Sequence, residues 1–350
     1  MSDLSSQLSR DICLGGRRAP VLTLDIDAAP ASTPLACAVA IGAFDGCHVG
    51  HIELLRRTVA DARARGIAAV AITFDPDPDE VVSSHPAPKL MQLPERVSAL
   101  ATSGVDLVVV VPFTASIAAL GHEGFLRGVL GGILDIRSIN VGADFRLGAR
   151  GASTVEVIRA WGADRGIDVV GHELVLDDGH AITSTRVRSL ISRGALDAAL
   201  IELGRRHAIW GVVQAGRGQG TGMGFPTANV SVPPRIQMPV DGVYAGFAVV
   251  GDSPDPLSSQ GSQPRYRAWP AAINVGVPPM FADSIRSARL EANLLGFKGD
   301  LYGKRIAIVF DRRLRPSTTF EGIDDLIRAV KADIARTREL FGDSEIAIRP

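Results

Sequence analysis

Two histidines three residues apart, His48 and His51, have the side-chain type and spacing that suit chemistry on a phosphate. The apolar run 36–41 before them predicts a buried strand, and the helical spacing of apolar residues from Ile52 onward predicts a helix. Free backbone N–H groups and the dipole at a helix start attract anions, and Gly50 lets a phosphate approach the backbone. The pattern therefore predicts a phosphate site with two added imidazole donors. The alternative is that both histidines are capping or surface residues of an ordinary strand-to-helix turn.

Two further segments contain residues that could hold phosphates. Glycine occupies every second position from Gly216 to Gly224, and such a loop either wraps a phosphate with backbone amides or serves as a flexible linker. The segment 183–188 places hydroxyl side chains ahead of a helical pattern, with an arginine one turn into the helix. It predicts either a helix start that binds anions or a plain cap with surface arginines.

Composition sets the class of protein. The chain has 350 residues, 46% hydrophobic and 21% charged, which suits a globular protein of two domains. Its 37 basic and 38 acidic residues give a net charge of −1, so charge offers no case for nucleic acid as a partner. No apolar run approaches the roughly 18 residues of a membrane span, and the N-terminal segment lacks the apolar core of a secretory signal. The cysteines show no CxxC spacing, which favours a reducing cytoplasm and argues against a zinc site.

Predicted strands and helices alternate from residue 36 to about residue 203. The predicted strands are 36–41, 68–74, 107–111, 138–141 and 168–170, and the predicted helices are 52–65, 94–102, 123–130 and 154–165. This alternation predicts βαβ units and an α/β domain with a Rossmann-like, parallel, doubly wound sheet. Ligands of such sheets bind at the carboxyl ends of the strands, which is where the histidine segment lies.

The pattern changes near residue 204 to strands without helices between them. The predicted strands are 209–214, 243–250, 271–275, 289–295 and 304–310, followed by a helix over 322–341. We therefore predict a small antiparallel β-barrel with a closing helix. The predicted organisation is a partly disordered N-terminal extension over 1–34, an α/β domain over 35–204 and a barrel domain over 205–350.

The segment 42–51 resembles the signature of the adenylyltransferase half of prokaryotic bifunctional FAD synthetases. The matching residues are Gly42, Phe44, Asp45, Gly46, His48, Gly50 and His51. The resemblance implies that the α/β domain transfers an adenylyl group from ATP to FMN without a covalent intermediate, with His48 and His51 as catalytic residues. It assigns ATP or phosphate binding to Gly42, Phe44, Asp45, Gly50, Ser184, Thr185 and Arg188. The segment 141–148 resembles the family's loop beside the flavin, which implicates Asp144 in flavin binding.

The segment 224–229, Gly-Phe-Pro-Thr-Ala-Asn, closely resembles the riboflavin kinase signature. The resemblance assigns nucleotide-bound Mg²⁺ to Thr227 and Asn229, and phosphate binding to Gly218 and Gly220. It also implies that Glu291, in a predicted strand shortly before the family-like turn 299–304, accepts the proton of the attacking ribityl hydroxyl. The alternative for Glu291 is an outward-facing strand residue without a chemical role.

Taken over both domains, the resemblance implies a cytoplasmic enzyme that phosphorylates riboflavin to FMN and then converts FMN to FAD, with ATP as co-substrate and Mg²⁺ as cofactor. Several positions depart from the family pattern. These are Asp77 (where His is common), Arg206 (usually Pro), Thr221 (usually basic), Met280 (usually Thr), Asn293 (usually His or aromatic) and Gly296 (usually acidic). Two alternatives therefore stay open: an adenylyltransferase with a weakened or inactive kinase domain, and a non-catalytic flavin-binding regulator.

Overall fold

The structure, a computed structural model, describes residues 4–14, 18–27, 29–215, 225–251, 265–276 and 290–349. Contacts divide the chain into two compact units. The sheet unit comprises residues 16–88 and 92–184, and the barrel unit comprises residues 1–15, 89–91 and 185–350. Within the described residues, no helix has both the length and the apolar character needed to cross a membrane.

The regular elements are numbered in chain order. The helices are α1 (Leu4–Asp11), α2 (Val49–Arg65), α3 (Pro78–Val82), α4 (Leu93–Ala101), α5 (Ala115–Ala118), α6 (Val155–Ala163), α7 (Ser184–Ser192), α8 (Leu196–Leu203) and α9 (Ile323–Phe341), with a π-helical turn at Gly124–Val129 and a 3₁₀ turn at Ala149–Gly151. The strands of the sheet unit are β1 (Val21–Thr23), β2 (Leu35–Ile41), β3 (Ala68–Asp75), β4 (Leu107–Pro112), β5 (Leu134–Gly142), β6 (Arg146–Leu147), β7 (Ser153–Thr154), β8 (Asp168–His172), β9 (Leu176–Asp177) and β10 (His180–Ala181). The strands of the barrel unit are β11 (His207–Gln214), β12 (Ala228–Ser231), β13 (Gly242–Gly251), β14 (Tyr266–Val275), β15 (Leu290–Leu294), β16 (Arg305–Pro316) and β17 (Ile346–Ile348).

A parallel sheet with the strand order β1-β4-β3-β2-β5-β8 forms the centre of the sheet unit. Apolar side chains fill the middle of β2, β3 and β4, as expected for strands buried on both faces. The predicted α/β fold is confirmed, and each predicted strand and helix of this half overlaps an observed element. The 123–130 segment, predicted as a helix, contains the π-helical turn.

The strand order makes β2 the point where the chain changes direction across the sheet. From β2 the chain runs outward through β3 to β4 on one side, and later through β5 to β8 on the other. Ligands of doubly wound sheets bind outside the carboxyl ends of the strands at such a switch point. The segment 42–51 directly follows β2, so the fold places it where a ligand is expected.

A closed antiparallel barrel forms the centre of the barrel unit. Its six strands pair in the order β13-β16-β11-β12-β15-β14, and pairing of β13 with β14 closes it. The short β17 extends the sheet along β14, beyond the part of β14 that pairs with β15. The predicted barrel and closing helix are confirmed, whereas β12, β17 and the first half of β14 do not appear among the predicted strands.

The N-terminal extension, predicted over residues 1–34, contains two regular elements, α1 and β1. Its first described residues form α1, whose Leu8 is fully buried in an apolar cluster on the barrel. Arg206 holds the helix: its backbone N–H donates to Asp11 Oδ1 at 2.8 Å, and its guanidinium donates to Asp11 Oδ2 at 2.9 Å. The residues that hold α1 lie about two hundred positions later in the chain, beyond the reach of any local pattern. Partial disorder within residues 1–34 stays a prediction.

The extension continues into the sheet unit, where β1 pairs in parallel with β4 as an edge strand. The two units divide between Ser184 and Thr185, and α7 and α8 are grouped with the barrel. Leu196 of α8, for example, belongs to the apolar core of the barrel. The domain ranges 35–204 and 205–350 stay a prediction.

Candidate active sites

The turn after β2 has an unusual backbone conformation that burial and hydrogen bonds stabilise. Phe44 (φ 53°), Gly46 (φ 82°) and Cys47 (φ 37°) all have left-handed backbone conformations, which are costly for the two that are not glycine. Both of these side chains are buried, and the Cys47 N–H donates to the Phe44 carbonyl at 2.9 Å. The Thr73 hydroxyl, from β3, donates to the Ala43 carbonyl at 3.1 Å. Packing and hydrogen bonds together stabilise a backbone that local preference alone does not favour.

The two histidines meet at the start of α2, as the sequence predicts. His48 is the N-cap of the helix, and its Nδ1 accepts from the His51 backbone N–H at 3.4 Å. The imidazole rings stack with their centroids 3.6 Å apart, and the Phe44 ring lies edge-on to His51. A Cβ on Gly50 would lie 3.2 Å from His48 Nδ1, so a larger residue there would press on the imidazole. The site therefore combines two oriented imidazoles with the N-terminus of a 17-residue helix, an arrangement suited to stabilising negative charge on a phosphate.

Ser184 is brought to this turn, although it is 139 positions away in the chain. Its hydroxyl donates to the Asp45 backbone carbonyl at 2.8 Å, and Asp45 is itself buried. Thr185 and Arg188 follow on the first turns of the same helix, α7, where Thr185 is exposed and Arg188 half-buried. Their binding of the triphosphate stays a prediction.

A buried ion pair supports the loop after β3. Arg96 of α4, 1% exposed, pairs with Asp77, and its Nη2 donates to the Phe74 carbonyl at 2.7 Å. The Arg96 carbonyl in turn lies 3.9 Å from the Cys47 thiol of the signature turn. Asp77, which stands where the family commonly has His, thus forms an ion pair with a buried arginine. Arg96 is not among the site residues predicted from the sequence. Its one signal in the sequence is a charged residue among the apolar positions of a predicted helix.

Asp144 lies in the turn after β5, at the same edge of the sheet as the signature turn. The Ala143 N–H donates to the His172 carbonyl at 2.8 Å, and the Phe145 N–H to the Gly142 carbonyl at 3.0 Å. These bonds fix an exposed carboxylate next to β2, because β5 is the parallel neighbour of β2. Flavin binding by Asp144 stays a prediction.

His172, at the end of β8, is a neutral histidine at this edge of the sheet. Burial, followed by the nearby positive charge of Arg57, lowers the pKa of His172. Its Nδ1 lies 3.4 Å from Arg57 Nη1, so Nε2 carries the proton and donates to Asn140 Oδ1 at 2.7 Å. The Asn140 amide donates in turn to Asp61 of α2 at 3.0 Å. The network ties α2, whose start carries the two catalytic candidates, to β5 and β8.

In the barrel unit, three polar side chains form a row across adjacent strands. Asn229 of β12 lies opposite Glu291 of β15, and Glu291 lies opposite Asn274 of β14. Leu290 and Ala292, on either side of Glu291, are buried in the barrel core, so the row faces outward. Residues directly opposite in antiparallel strands have Cβ atoms about 4.5–5.5 Å apart, so the Glu291 carboxylate has an amide side chain on each side.

Thr227 directly precedes β12, two positions before Asn229. It is half-buried, whereas Ala228 between the two is buried. A hydroxyl, an amide oxygen and a neighbouring carboxylate are the oxygen donors that suit Mg²⁺. No three His, Cys, Asp or Glu side chains cluster to hold a metal in the described parts of the chain. The predicted phosphate-binding residues Gly218 and Gly220 lie outside the described residues, as do Thr221 and Met280.

Comparison with known proteins agrees with this division of sites. A family model described as FAD synthetase matches residues 31–186, and a second, described as riboflavin kinase, matches residues 203–341. The bifunctional riboflavin kinase/FMN adenylyltransferase of Escherichia coli is 34% identical over 307 residues, which cover 87% of this chain and 93% of the relative. The chain belongs to the bifunctional riboflavin kinase/FMN adenylyltransferase family. The protein of the same name from Pseudomonas fluorescens is 32% identical over 309 residues, covering 88% of this chain and 94% of the relative.

The fold is also shared with solved structures. The crystal structure of a macrolide-efflux protein from Streptococcus pneumoniae superposes with a TM-score of 0.74, at 26% identity, over 91% of this chain and 98% of that one. Both units of the bifunctional riboflavin kinase/FMN adenylyltransferase fold are therefore represented in one known chain of similar length.

In the barrel unit, three of the departures from the family pattern have structural partners. Arg206, where the family usually has Pro, uses its backbone N–H to hold Asp11 of α1, a bond that Pro could not make. Gly296 has φ +76°, and a Cβ there would lie 1.9 Å from the Asp343 carbonyl oxygen. The Asn293 amide donates to the Pro226 carbonyl at 2.7 Å.

Proposed function

We propose that this chain makes FAD from riboflavin in two ATP-dependent steps. The barrel unit phosphorylates riboflavin to FMN, and the sheet unit transfers an adenylyl group from a second ATP to FMN with release of pyrophosphate. The observation that carries the proposal is the presence of two separate constellations, one in each unit, within the ranges matched by the two family models. A reducing cytoplasm is its proposed location, which is consistent with three buried cysteine thiols.

Adenylyl transfer is an in-line attack of the FMN phosphate on the α-phosphorus of ATP. The sheet unit needs no covalent nucleophile for it; it holds the two substrates in line and stabilises the charge that builds on the phosphates. The N-terminus of α2 and the imidazoles of His48 and His51 supply that stabilisation. The hydrogen bond from the His51 N–H to His48 Nδ1 makes His48 Nε2 the proton-bearing atom, and this N–H is the group that would donate to a phosphate oxygen.

Riboflavin phosphorylation needs a base for the ribityl hydroxyl and neutralisation of the ATP phosphates. Glu291 accepts the hydroxyl proton as the oxygen attacks the γ-phosphorus. Thr227 and Asn229 would hold the Mg²⁺ that accompanies ATP, and the ion would offset the phosphate charge. Asn229 and Glu291 are directly opposite each other on paired strands, so a candidate metal ligand and the candidate base share one face of the barrel.

The decisive experiment separates the two reactions. Purified full-length protein is incubated with riboflavin, ATP and Mg²⁺, and the flavin products are resolved by chromatography, with a parallel reaction started from FMN. FMN and FAD from riboflavin support the proposal. FAD from added FMN alone would indicate a weakened kinase, and no turnover in either reaction would indicate a flavin-binding regulator.

Variants of the two histidines test the assignment of sites. We expect His48→Ala and His51→Ala each to lower FAD formation by about 10²–10³-fold, as loss of a transition-state phosphate donor does elsewhere. FMN formation from riboflavin in the same preparations should be nearly unchanged, because that chemistry belongs to the other unit. Equal loss of both activities in a folded variant would rule out separate sites.

A further inference from the structure

A side-chain hydrogen bond joins two parts of the riboflavin kinase site. Nδ2 of Asn293, on β15, donates to the backbone carbonyl of Pro226 at 2.7 Å, across 67 positions of the chain. Pro226 directly precedes Thr227, and Asn293 lies two residues after Glu291. The bond therefore connects the strand that carries the base to the segment that carries the first metal-binding candidate.

The bond lies just beyond the end of a strand ladder, with Asn293 one position and Pro226 two positions past the last pair. The pairing of β12 with β15 ends at Ala228 and Ala292. Pro226 has no backbone N–H, so it cannot donate to a continued ladder. The Asn293 carboxamide supplies a cross-strand bond at the place where the backbone no longer does.

Asn293 is on the same face of β15 as Glu291. Side chains alternate along a strand, and Ala292 between the two is buried in the barrel core. The side chain that holds the Pro226 carbonyl therefore lies on the same face of β15 as Glu291. An imidazole Nδ1–H lies at about the same position relative to Cβ as the carboxamide Nδ2, so histidine at position 293 could donate the same bond.

We propose that Asn293 is a positioning residue for riboflavin phosphorylation. By holding the Pro226 carbonyl, it fixes the peptide plane that precedes Thr227 and so the place of the Thr227 hydroxyl beside Asn229. The proposal rests on the proposed kinase activity of the barrel unit. Its consequence is that the departure from the family pattern at position 293 preserves the kinase site.

Two substitutions separate the hydrogen bond from the bulk of the side chain. Asn293→Leu keeps a similar volume and removes the donor, whereas Asn293→His keeps a donor. Arg312→Leu, at a 55% exposed side chain of β16, controls for an added apolar group on the barrel surface. In full-length protein, Asn293→Leu should lower kcat/KM for riboflavin phosphorylation by about tenfold, the size of one lost hydrogen bond. It should also raise the Mg²⁺ concentration that gives half-maximal rate, while adenylylation of FMN stays unchanged in the same sample.

A measurement without substrates tests the positioning directly. Hydrogen exchange of the peptide that contains Thr227 should be faster in Asn293→Leu and return to the wild-type rate in Asn293→His, with the unfolding midpoint unchanged in both. Wild-type kinetics and exchange in Asn293→Leu, or failure of Asn293→His to restore them, would overturn the inference. A wild-type chain that forms no FMN would overturn the proposed function instead.

Discussion

His207 predicts a specific loss of barrel stability in acid. The residue opens β11 and is 4% exposed, its ring stacks on Phe310, and its Nε2–H donates to the Gln237 carbonyl at 3.0 Å. Burial lowers the pKa of His207 from 6.5 to about 4. The His207 imidazole therefore takes up a proton near pH 6.5 in the unfolded chain but only near pH 4 in the folded barrel. The free energy of unfolding is unaffected by this group above pH 6.5 and falls as the pH drops from 6.5 to about 4.

The magnitude follows from the two pKa values. Each pKa unit corresponds to about 1.36 kcal/mol, so His207 alone should cost the barrel about 3 kcal/mol between neutral pH and about pH 4. His207→Gln retains a donor toward Gln237 and cannot titrate. The free energy of unfolding of the wild-type residue should therefore fall more steeply with acid than that of the variant, whatever their difference at neutral pH.

Tryptophan fluorescence can report on the barrel alone. Trp161 lies in the sheet unit, whereas Trp210 and Trp269 are on β11 and β14 of the barrel. In a Trp161→Phe background, urea unfolding followed by fluorescence at a series of pH values gives the barrel transition. Other titrating groups contribute equally to both proteins and cancel in the comparison. Parallel stability curves for His207 and His207→Gln between about pH 7 and pH 4 would refute the assignment of a buried neutral imidazole.

Two further substitutions test the base and the N-terminal helix. Glu291→Gln should lower riboflavin phosphorylation by about 10²–10⁴-fold, because it removes the proton acceptor. Adenylylation of added FMN, measured by flavin chromatography, should be unchanged. Near-normal phosphorylation would mean that another group takes the proton. Leu8→Ala should lower the barrel's free energy of unfolding by about 2–5 kcal/mol, in the same fluorescence assay, because it empties a fully buried site. Leu200→Ala, at a 41% exposed position of α8 in the barrel unit, is the matched control, and equal effects of the two would contradict docking of α1 on the barrel.

The sequence predicted the elements whose patterns are local. Alternating strands and helices, the turn after β2 and the closing helix all follow from periodicity and from residues within a few positions of each other. Strand β12 was missed because only Ala228 and Val230 of its four residues point into the core, which is too short an alternation to stand out. Asn229 of this strand belongs to the segment 224–229, which was interpreted as a kinase motif and not as the start of a strand.

The site contacts that sequence could not predict join residues far apart in the chain. Arg96 is paired with Asp77 inside the sheet unit, and the Ser184 hydroxyl reaches Asp45 across 139 positions. Periodicity contains no information on such pairings, since each partner taken alone fits a surface helix, a turn or a cap. They emerge only when the sheet brings the carboxyl ends of its parallel strands together.

The departures from the family pattern that the structure describes in the barrel favour an intact kinase over a decaying one. α1 and β17 both lie outside the ranges matched by the family models, and they meet each other: the Ser5 hydroxyl donates to the Ala347 carbonyl at 2.8 Å and accepts from the Arg349 N–H at 3.0 Å. Arg206 anchors α1, and glycine at 296 lets the chain pass at Asp343, just before β17.

Arg206 and Gly296 therefore fit the barrel to segments of the chain that lie outside the ranges matched by the family models. Asn293, the third departure with a structural partner, bonds the segment that carries Thr227. A chain that had lost its kinase activity would have no reason to keep Asn229 opposite Glu291 on paired strands, or a hydrogen bond from Asn293 to the residue that precedes Thr227. The same reasoning makes the prediction for Asn293→Leu discriminating, because in a barrel without kinase chemistry the lost hydrogen bond would change hydrogen exchange and nothing else.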